Sequence, residues 1–179
     1  MPAHPHFAVR EALVSDMPEL TRIYNHAIAH TGAVWRDDPA TVAEREQWLA
    51  AHHASGTPVL VIARGDVVAG YAQYGNFRPF PGYRYTAEHS IYLHPAWQHQ
   101  GLGGILLDAL VDSAREHGIH VLVAVIDSEN DASIALHRRR GFEECGSMRE
   151  VGWKFGQWRD LVFMSRILSA EGPTPAYGS

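Results

Sequence analysis

The residues best placed to do chemistry lie between Arg78 and His137. The stretch from Ser90 to Leu107 reads as a short apolar strand, a glycine-bearing loop and the start of a helix, with Pro95 stopping the strand. A helix opens with peptide N–H groups that have no internal partner, and its dipole adds roughly half a positive charge at that end. Gly101 and Gly103 carry no side chain to hold an anion away from those groups, so the loop is either a phosphate site or an ordinary glycine turn. Its spacing, Gln98-x-x-Gly101-x-Gly103, fits neither the dinucleotide fingerprint nor the P-loop. Glu88 stands just before the strand, where a carboxylate either accepts a proton from an incoming amine or is a plain strand-end charge. Downstream, His137 follows Asn130 in Asn130-x-x-Ser133-x-x-x-His137. Its imidazole can exchange a proton near neutrality, or it is one more solvated residue beside Arg138, Arg139 and Arg140.

A third group precedes the strand. Arg78 and Arg84 are interleaved with Phe77, Phe80, Tyr83 and Tyr85 in a segment that Pro79 and Pro81 keep out of any central strand. Guanidinium groups suit a carboxylate or an oxidised side chain, and aromatic walls suit an aliphatic stem, so the segment could box a zwitterionic amino acid. The plainer alternative is an aromatic-anchored surface loop.

The elements that must position these groups follow from pattern. Phe7 to Leu13 alternates as a first strand, and Ser15-Asp16-Met17-Pro18-Glu19 starts a helix with a capping side chain, an early proline and a first-turn acid. Thr41-x-x-Glu44 has the form of a capping box, and Gly56 closes the helix it opens. Val59 to Arg64 and Val67 to Tyr74 make a hairpin across Gly65-Asp66. A helix from Gly103 to His117, an apolar strand from Val121 to Ile126 and a short helix from Asp131 to Arg140 come next. Two β runs, Phe142 to Lys154 and Arg159 to Leu168, complete an α/β fold with a mixed, mostly antiparallel sheet and one parallel pair at its centre. Residues 1–168 form one domain and 169–179 a tail expected to be disordered.

Composition narrows the function. Fifteen Lys and Arg against twenty Asp and Glu give a net charge of −5, which argues against a nucleic-acid surface built on phosphate neutralisation. An anion must then be held by local geometry. No run of roughly 18 apolar residues exists to cross a membrane. Twelve scattered histidines form no metal-ligand pattern, and no metal is expected. A single cysteine, Cys145, rules out an internal disulfide and suits the cytoplasm.

The glycine loop resembles the acyl-CoA pyrophosphate loop, Gln/Arg-x-x-Gly-x-Gly/Ala, of the GCN5-related N-acetyltransferases. Asn130-x-x-Ser133-x-x-x-His137-x-x-x-Gly141-Phe142 is similar to the second half of that superfamily's CoA-binding unit. Tyr85-Thr86-Ala87-Glu88-His89-Ser90 resembles the phosphinothricin and methionine sulfoximine acetyltransferase branch, on which the chain from about Ala8 to Leu168 can be laid. The resemblance implies an acetyl-CoA-dependent transfer to the α-amine of a small amino-acid analogue, through a parallel strand pair that splays to admit the pantetheine arm. Its alternatives are acetylation of a protein N-terminus or another metabolite amine, and a non-catalytic acyl-CoA-binding module.

Carried onto this sequence, the resemblance gives Glu88 the amine's proton and His137, where much of the superfamily has tyrosine, the leaving thiolate. Ile91, Tyr92, Leu93, His99, Gln100, Gly101, Leu102, Gly103, Gly104, Asn130 and Ser133 become cofactor contacts, with peptide N–H groups of residues 91–93 as oxyanion donors. His99 replaces a common arginine, so the loop is expected to lean on backbone N–H groups. Arg78, Pro79, Phe80, Glu88, His89 and Ser90 surround the acceptor, with Arg84 and Trp35 as further candidates. The resemblance also implies a homodimer, in which the tryptophans of the matching hairpin from Gly152 to Trp158 would cover a neighbour's site.

Overall fold

The computed structural model describes residues 7–169. The expected tail, Ser169 apart, lies outside them. The chain runs β1 (Ala8–Glu11), α1 (Met17–His30), α2 (Val42–Ser55), β2 (Val59–Arg64), β3 (Val67–Asn76), β4 (Thr86–Leu93), α3 (Leu102–Glu116), β5 (Val121–Asp127), α4 (Asp131–Arg139), β6 (Glu143–Lys154) and β7 (Gln157–Ile167). The seven strands form one sheet in the order β1-β2-β3-β4-β5-β7-β6. Every neighbouring pair is antiparallel except β4 and β5, as the crossover through α3 requires.

Alternation along the strands builds two cores. Leu60, Ile62, Ala72, Tyr74 and Ala87 pack under Leu106, Leu107 and Leu110 of α3. Val59, Val61 and Tyr71 point the other way, against Met17, Leu20 and Ile23 of α1 and Leu49 of α2. A Leu side chain fully buried in this way contributes about 1.5–3 kcal/mol.

The local signals explain most boundaries. Thr41 Oγ1 accepts the Glu44 N–H at 3.2 Å while the Glu44 carboxylate accepts the Thr41 N–H at 2.6 Å, closing the capping box. Gly56 ends α2 in the left-handed region that only glycine enters freely. Asp16 departs from its expected role: it is the N-cap residue of α1, yet its side chain caps nothing in that helix. Its carboxylate instead accepts from the Leu13 N–H at 2.7 Å and from Arg10 at 2.7 and 2.9 Å. That short turn truncates β1 at Glu11. Phe142, expected to open β6, is a buried core residue just before it, and β7 begins at Gln157 because a two-residue turn, Phe155-Gly156, suffices.

Candidate active site

The parallel pairing that joins the halves of the sheet is brief. It links Thr86, Ala87, Glu88 and His89 to Val121, Leu122, Val123 and Ala124, and then stops. Beyond it β4 stays with β3 from Ser90 to Leu93, while β5 stays with β7 from Val125 to Asp127. The two strands therefore part, leaving the edge of residues 90–93 that faces β5 without a ladder partner. An extended chain with amide groups can pair there as an extra strand would.

Two cavities occupy this gap and its outer mouth. One of about 70 Å³ is lined by residues that include Ser90, Tyr92, Asp127, Asn130 and His137, with Ala33 of the α1–α2 loop at its rim. A larger one of about 350 Å³ lies between the glycine loop and α4, lined among others by Leu93, Gly101, Gly103, Asn130, Ser133 and Arg139. At its inner wall the chain enters α3 through two left-handed residues, His99 (φ 59°) and Gly101 (φ 79°). Backbone of this kind turns successive N–H groups toward one point, a concavity suited to an anion. A Cβ on Gly103 would lie 3.3 Å from Leu93 and 3.4 Å from Leu136, so a side chain there would intrude into the cleft. These residues fit a pyrophosphate and an amide-bearing arm.

Not all the expected contacts use their side chains. Leu102 is fully buried in the core, and the Gln100 amide is spent on the Ala96 carbonyl at 3.1 Å, so neither side chain lines a cavity. Gly104 lines the larger cavity but also admits Arg140, whose guanidinium would stand 2.2 Å from a Cβ at that position. Asn130 is the N-cap of α4, its Oδ1 accepting the Ser133 N–H at 3.1 Å, and it borders both cavities. Arg139 was passed over in the sequence as a solvated neighbour. It lines the outer cavity and enters no ion pair among the described residues, so a fixed cation stands where His99 supplies none. Ala132, Leu136 and Arg139 recur at helical spacing, which is the signal that could have found it.

Glu88, Ser90 and Tyr92 share the face of β4 turned to α1 and α2. Burial raises the Glu88 pKa, and the nearby Arg78 charge opposes that only in part. Burial pushes the Tyr92 hydroxyl up to about 12, with the Ser90 hydroxyl as a hydrogen-bond partner. Arg78 lies over the Phe77 ring at 4.4 Å and Arg84 over the Tyr85 ring at 4.7 Å. The single two-arginine box is thus divided, since only Arg78 bears on Glu88. Pro79 and Phe80 lie exposed on the same loop. Trp35 packs tightly against Gly152, where a Cβ would meet its ring at 2.1 Å, and the Lys154 ammonium donates to the Arg36 carbonyl. The α1–α2 loop is thereby held against the β6–β7 hairpin.

His89 corrects the expectation that it stands beside Glu88. Adjacent strand residues face opposite ways, and His89 points to the side of α3 and α4, buried against Phe142. Its Nε2 lies 2.9 Å from His137 Nε2. His137 is also buried, with Nδ1 2.7 Å from the Ser133 carbonyl oxygen. Burial lowers both pKa values, that of His89 to about 3, and the His137 ring adds to the His89 shift. Both rings are neutral at neutral pH, and neither His137 nitrogen is free to face a sulfur atom in this arrangement.

A splayed parallel pair, a left-handed glycine loop at a helix N-terminus and a half-buried carboxylate on the opposite face fit an acyl-CoA-dependent transferase of the α/β class. The model of the Acetyltransferase (GNAT) family matches residues 20–142, and the chain belongs to that family. It is similar to the L-methionine sulfoximine/L-methionine sulfone acetyltransferase of Pseudomonas paraeruginosa, with 47% identity over 94% of this chain and 98% of the relative. Among solved structures it is similar to a candidate acetyltransferase from Salmonella typhimurium with its cofactor acetyl-CoA, at a TM-score of 0.92, 46% identity, and 96% and 99% coverage of the two chains. A phosphinothricin acetyltransferase from Sinorhizobium meliloti in complex with acetyl-CoA has a TM-score of 0.90 at 34% identity, covering 96% of this chain and 95% of that one.

Proposed function

We propose that this acyltransferase moves an acetyl group from acetyl-CoA to the α-amine of a small amino-acid analogue of the methionine sulfoximine, methionine sulfone or phosphinothricin type. The observation that carries the reading is the gap between β4 and β5, which runs from the glycine loop inward with Glu88 on its acceptor face. Bound acetyl-CoA supplies an activated thioester; the chain supplies position and proton management. Gly101, Gly103 and the first turn of α3 hold the pyrophosphate, with His99 beside them and Arg139 across the cleft. Asn130, Ser133 and the free edge of Ile91, Tyr92 and Leu93 hold the arm, and N–H groups on that edge receive the carbonyl oxygen.

On the other face Glu88 takes the amine's proton. Its burial makes the carboxylate a stronger base than an exposed one, and Arg78 opposes that rise in part while also serving the acceptor's anionic group. Ser90, Phe80, Pro79 and the loop-held Trp35 bound the acceptor, with Arg84 at the outer rim. His137 lines the α4 side of the gap with both nitrogens held by Ser133 and His89, so the departing thiolate takes its proton from water. The chain works as a cytosolic homodimer, a reading supported by the exposed edge of β6 and by Met148, Val151, Trp153, Phe155 and Trp158 on that hairpin.

The test is acetyl-CoA turnover over a panel of amino-acid analogues and a peptide with a free N-terminus. Saturable transfer to the sulfoximine, sulfone or phosphinothricin is the expected result. Glu88→Gln should lower kcat at neutral pH by about 10²-fold, with partial recovery at higher pH where the amine is already neutral. Transfer to the peptide alone would sink the amino-acid reading, and binding of acetyl-CoA without any transfer would sink the enzymatic one.

A further inference from the structure

The hydrogen bond between His89 and His137 is unlike the other polar contacts of the site, because it lies on the face of β4 away from the acceptor and ties a strand to a helix. His89 is the last residue of β4 to pair with β5, opposite Ala124. His137 belongs to α4, whose first turn carries Asn130 and Ser133 into both cavities. The pair therefore spans the place where the sheet opens.

The proton positions follow from the partners. A carbonyl oxygen only accepts, so the Ser133 carbonyl at 2.7 Å places a hydrogen on His137 Nδ1. In a neutral ring His137 Nε2 is then bare, and the hydrogen in the 2.9 Å contact belongs to His89 Nε2. That leaves His89 Nδ1 without hydrogen; it is a buried atom that no hydrogen bond of normal geometry reaches among the described residues, with the Val123 backbone as the one further group that favours a protonated ring. An orphaned buried polar atom is destabilising, so an apolar side chain beside Phe142 would pack there at less cost. What the imidazole supplies in return is its one directed N–H.

We propose that His89 is a positioning residue that acts through His137: it donates Nε2–H to His137 Nε2, fixes that ring as the neutral Nδ1–H tautomer, and ties α4 to the point where β4 and β5 part. The Ser133 carbonyl and His89 then hold His137 from both ends, so the first turn of α4 keeps its distance from the free edge of residues 90–93. In this role His89 takes no part in recognising the amino acid.

The kinetic arm rests on the acetyltransferase reading above; the spectroscopic arm does not. In long-range 1H–15N spectra of the unmodified protein at pH 7.5, His137 should show a protonated Nδ1 and a bare Nε2. His89→Leu should abolish that fixed tautomer and lower kcat on the order of tenfold or more, with the KM of the amino acid unchanged. His89→Gln, whose amide N–H can reach the same acceptor, should restore both the tautomer and most of kcat. A protonated His137 Nε2 in the unmodified protein would overturn the proposal without any variant. So would a folded His89→Gln that fails to restore the tautomer, or a His89→Leu that raises the amino-acid KM while His137 keeps its Nδ1–H form. Failure of every amine to react would overturn the functional reading and leave the tautomer assignment to be judged by the spectra.

Discussion

Replacing Arg159 with methionine should damage the protein more than replacing its partner Asp127 with asparagine. The guanidinium bonds both Asp127 oxygens at 2.7 Å and Glu129 at 2.7 Å. Arg159 and Asp127 are 6% and 4% exposed, so the carboxylate depends on this cation and on the Glu129 N–H at 2.9 Å. Removing the arginine leaves a buried charge with one neutral donor, a situation that costs about 3–5 kcal/mol. Removing the aspartate leaves Arg159 with Glu129, whose side chain reaches solvent, and should cost closer to about 2 kcal/mol. The double variant should resemble the aspartate variant alone, giving a coupling as large as the arginine cost, on the order of 3–5 kcal/mol. Urea titration of the four proteins measures this, and for a chain of this size the arginine variant should melt roughly 6–20 °C lower. The Asp127 carbonyl accepts the Asn130 N–H at 2.9 Å, so acetyl-CoA affinity should fall with it. Strictly additive costs, or an arginine variant within about 1 kcal/mol of the parent, would refute the account of a buried, dependent carboxylate.

Gly103→Val and Arg139→Ala should each raise the acetyl-CoA KM with the amino-acid KM unchanged, the first because a branched side chain enters the cleft between Leu93 and Leu136. A calorimetric titration with unaltered affinity would remove that residue from the cofactor site. The His89 pKa is lowered in the fold, so its stabilising contribution is present above the ordinary value near 6.5 and is lost as pH falls toward about 3. Urea midpoints should show a loss of about 2 kcal/mol between pH 6.5 and pH 5, largely absent in His89→Gln. The Glu88 pKa is raised, so its ionisation costs stability above the unfolded carboxylate value near 4.3. Glu88→Gln should therefore melt higher than the parent at pH 7, and the advantage should vanish below about pH 4.

Much of this architecture is written locally. The capping box at Thr41, the hairpin at Gly65-Asp66, the stop at Pro95 and the glycine entry to α3 depend on residues within a few positions of one another. Periodicity and turn chemistry therefore fix the elements without a folded context. The Asp16 side chain escaped this logic because its best donors came from Leu13 and Arg10 rather than from the helix it precedes. Motif spacing likewise marked Glu88, Asn130 and the glycine loop, since an anion nest and an N-cap are made by consecutive residues.

What the tertiary structure alone decided is which side each residue faces and what it meets there. Glu88 and His89 are neighbours in the chain, but the pleat sends one to the acceptor face and the other into α4, so a motif that names them together cannot assign them one task. The register of β4 against β5 determines that pairing ends at His89 and hence where the gap begins. Arg139 becomes a cofactor candidate only once α4 is laid beside the glycine loop, and Lys154 acquires its acceptor from a loop far away in the chain. Local sequence sets dihedral angles, helix ends and turns; long-range packing sets which faces meet, and the protonation of a buried imidazole depends on that meeting.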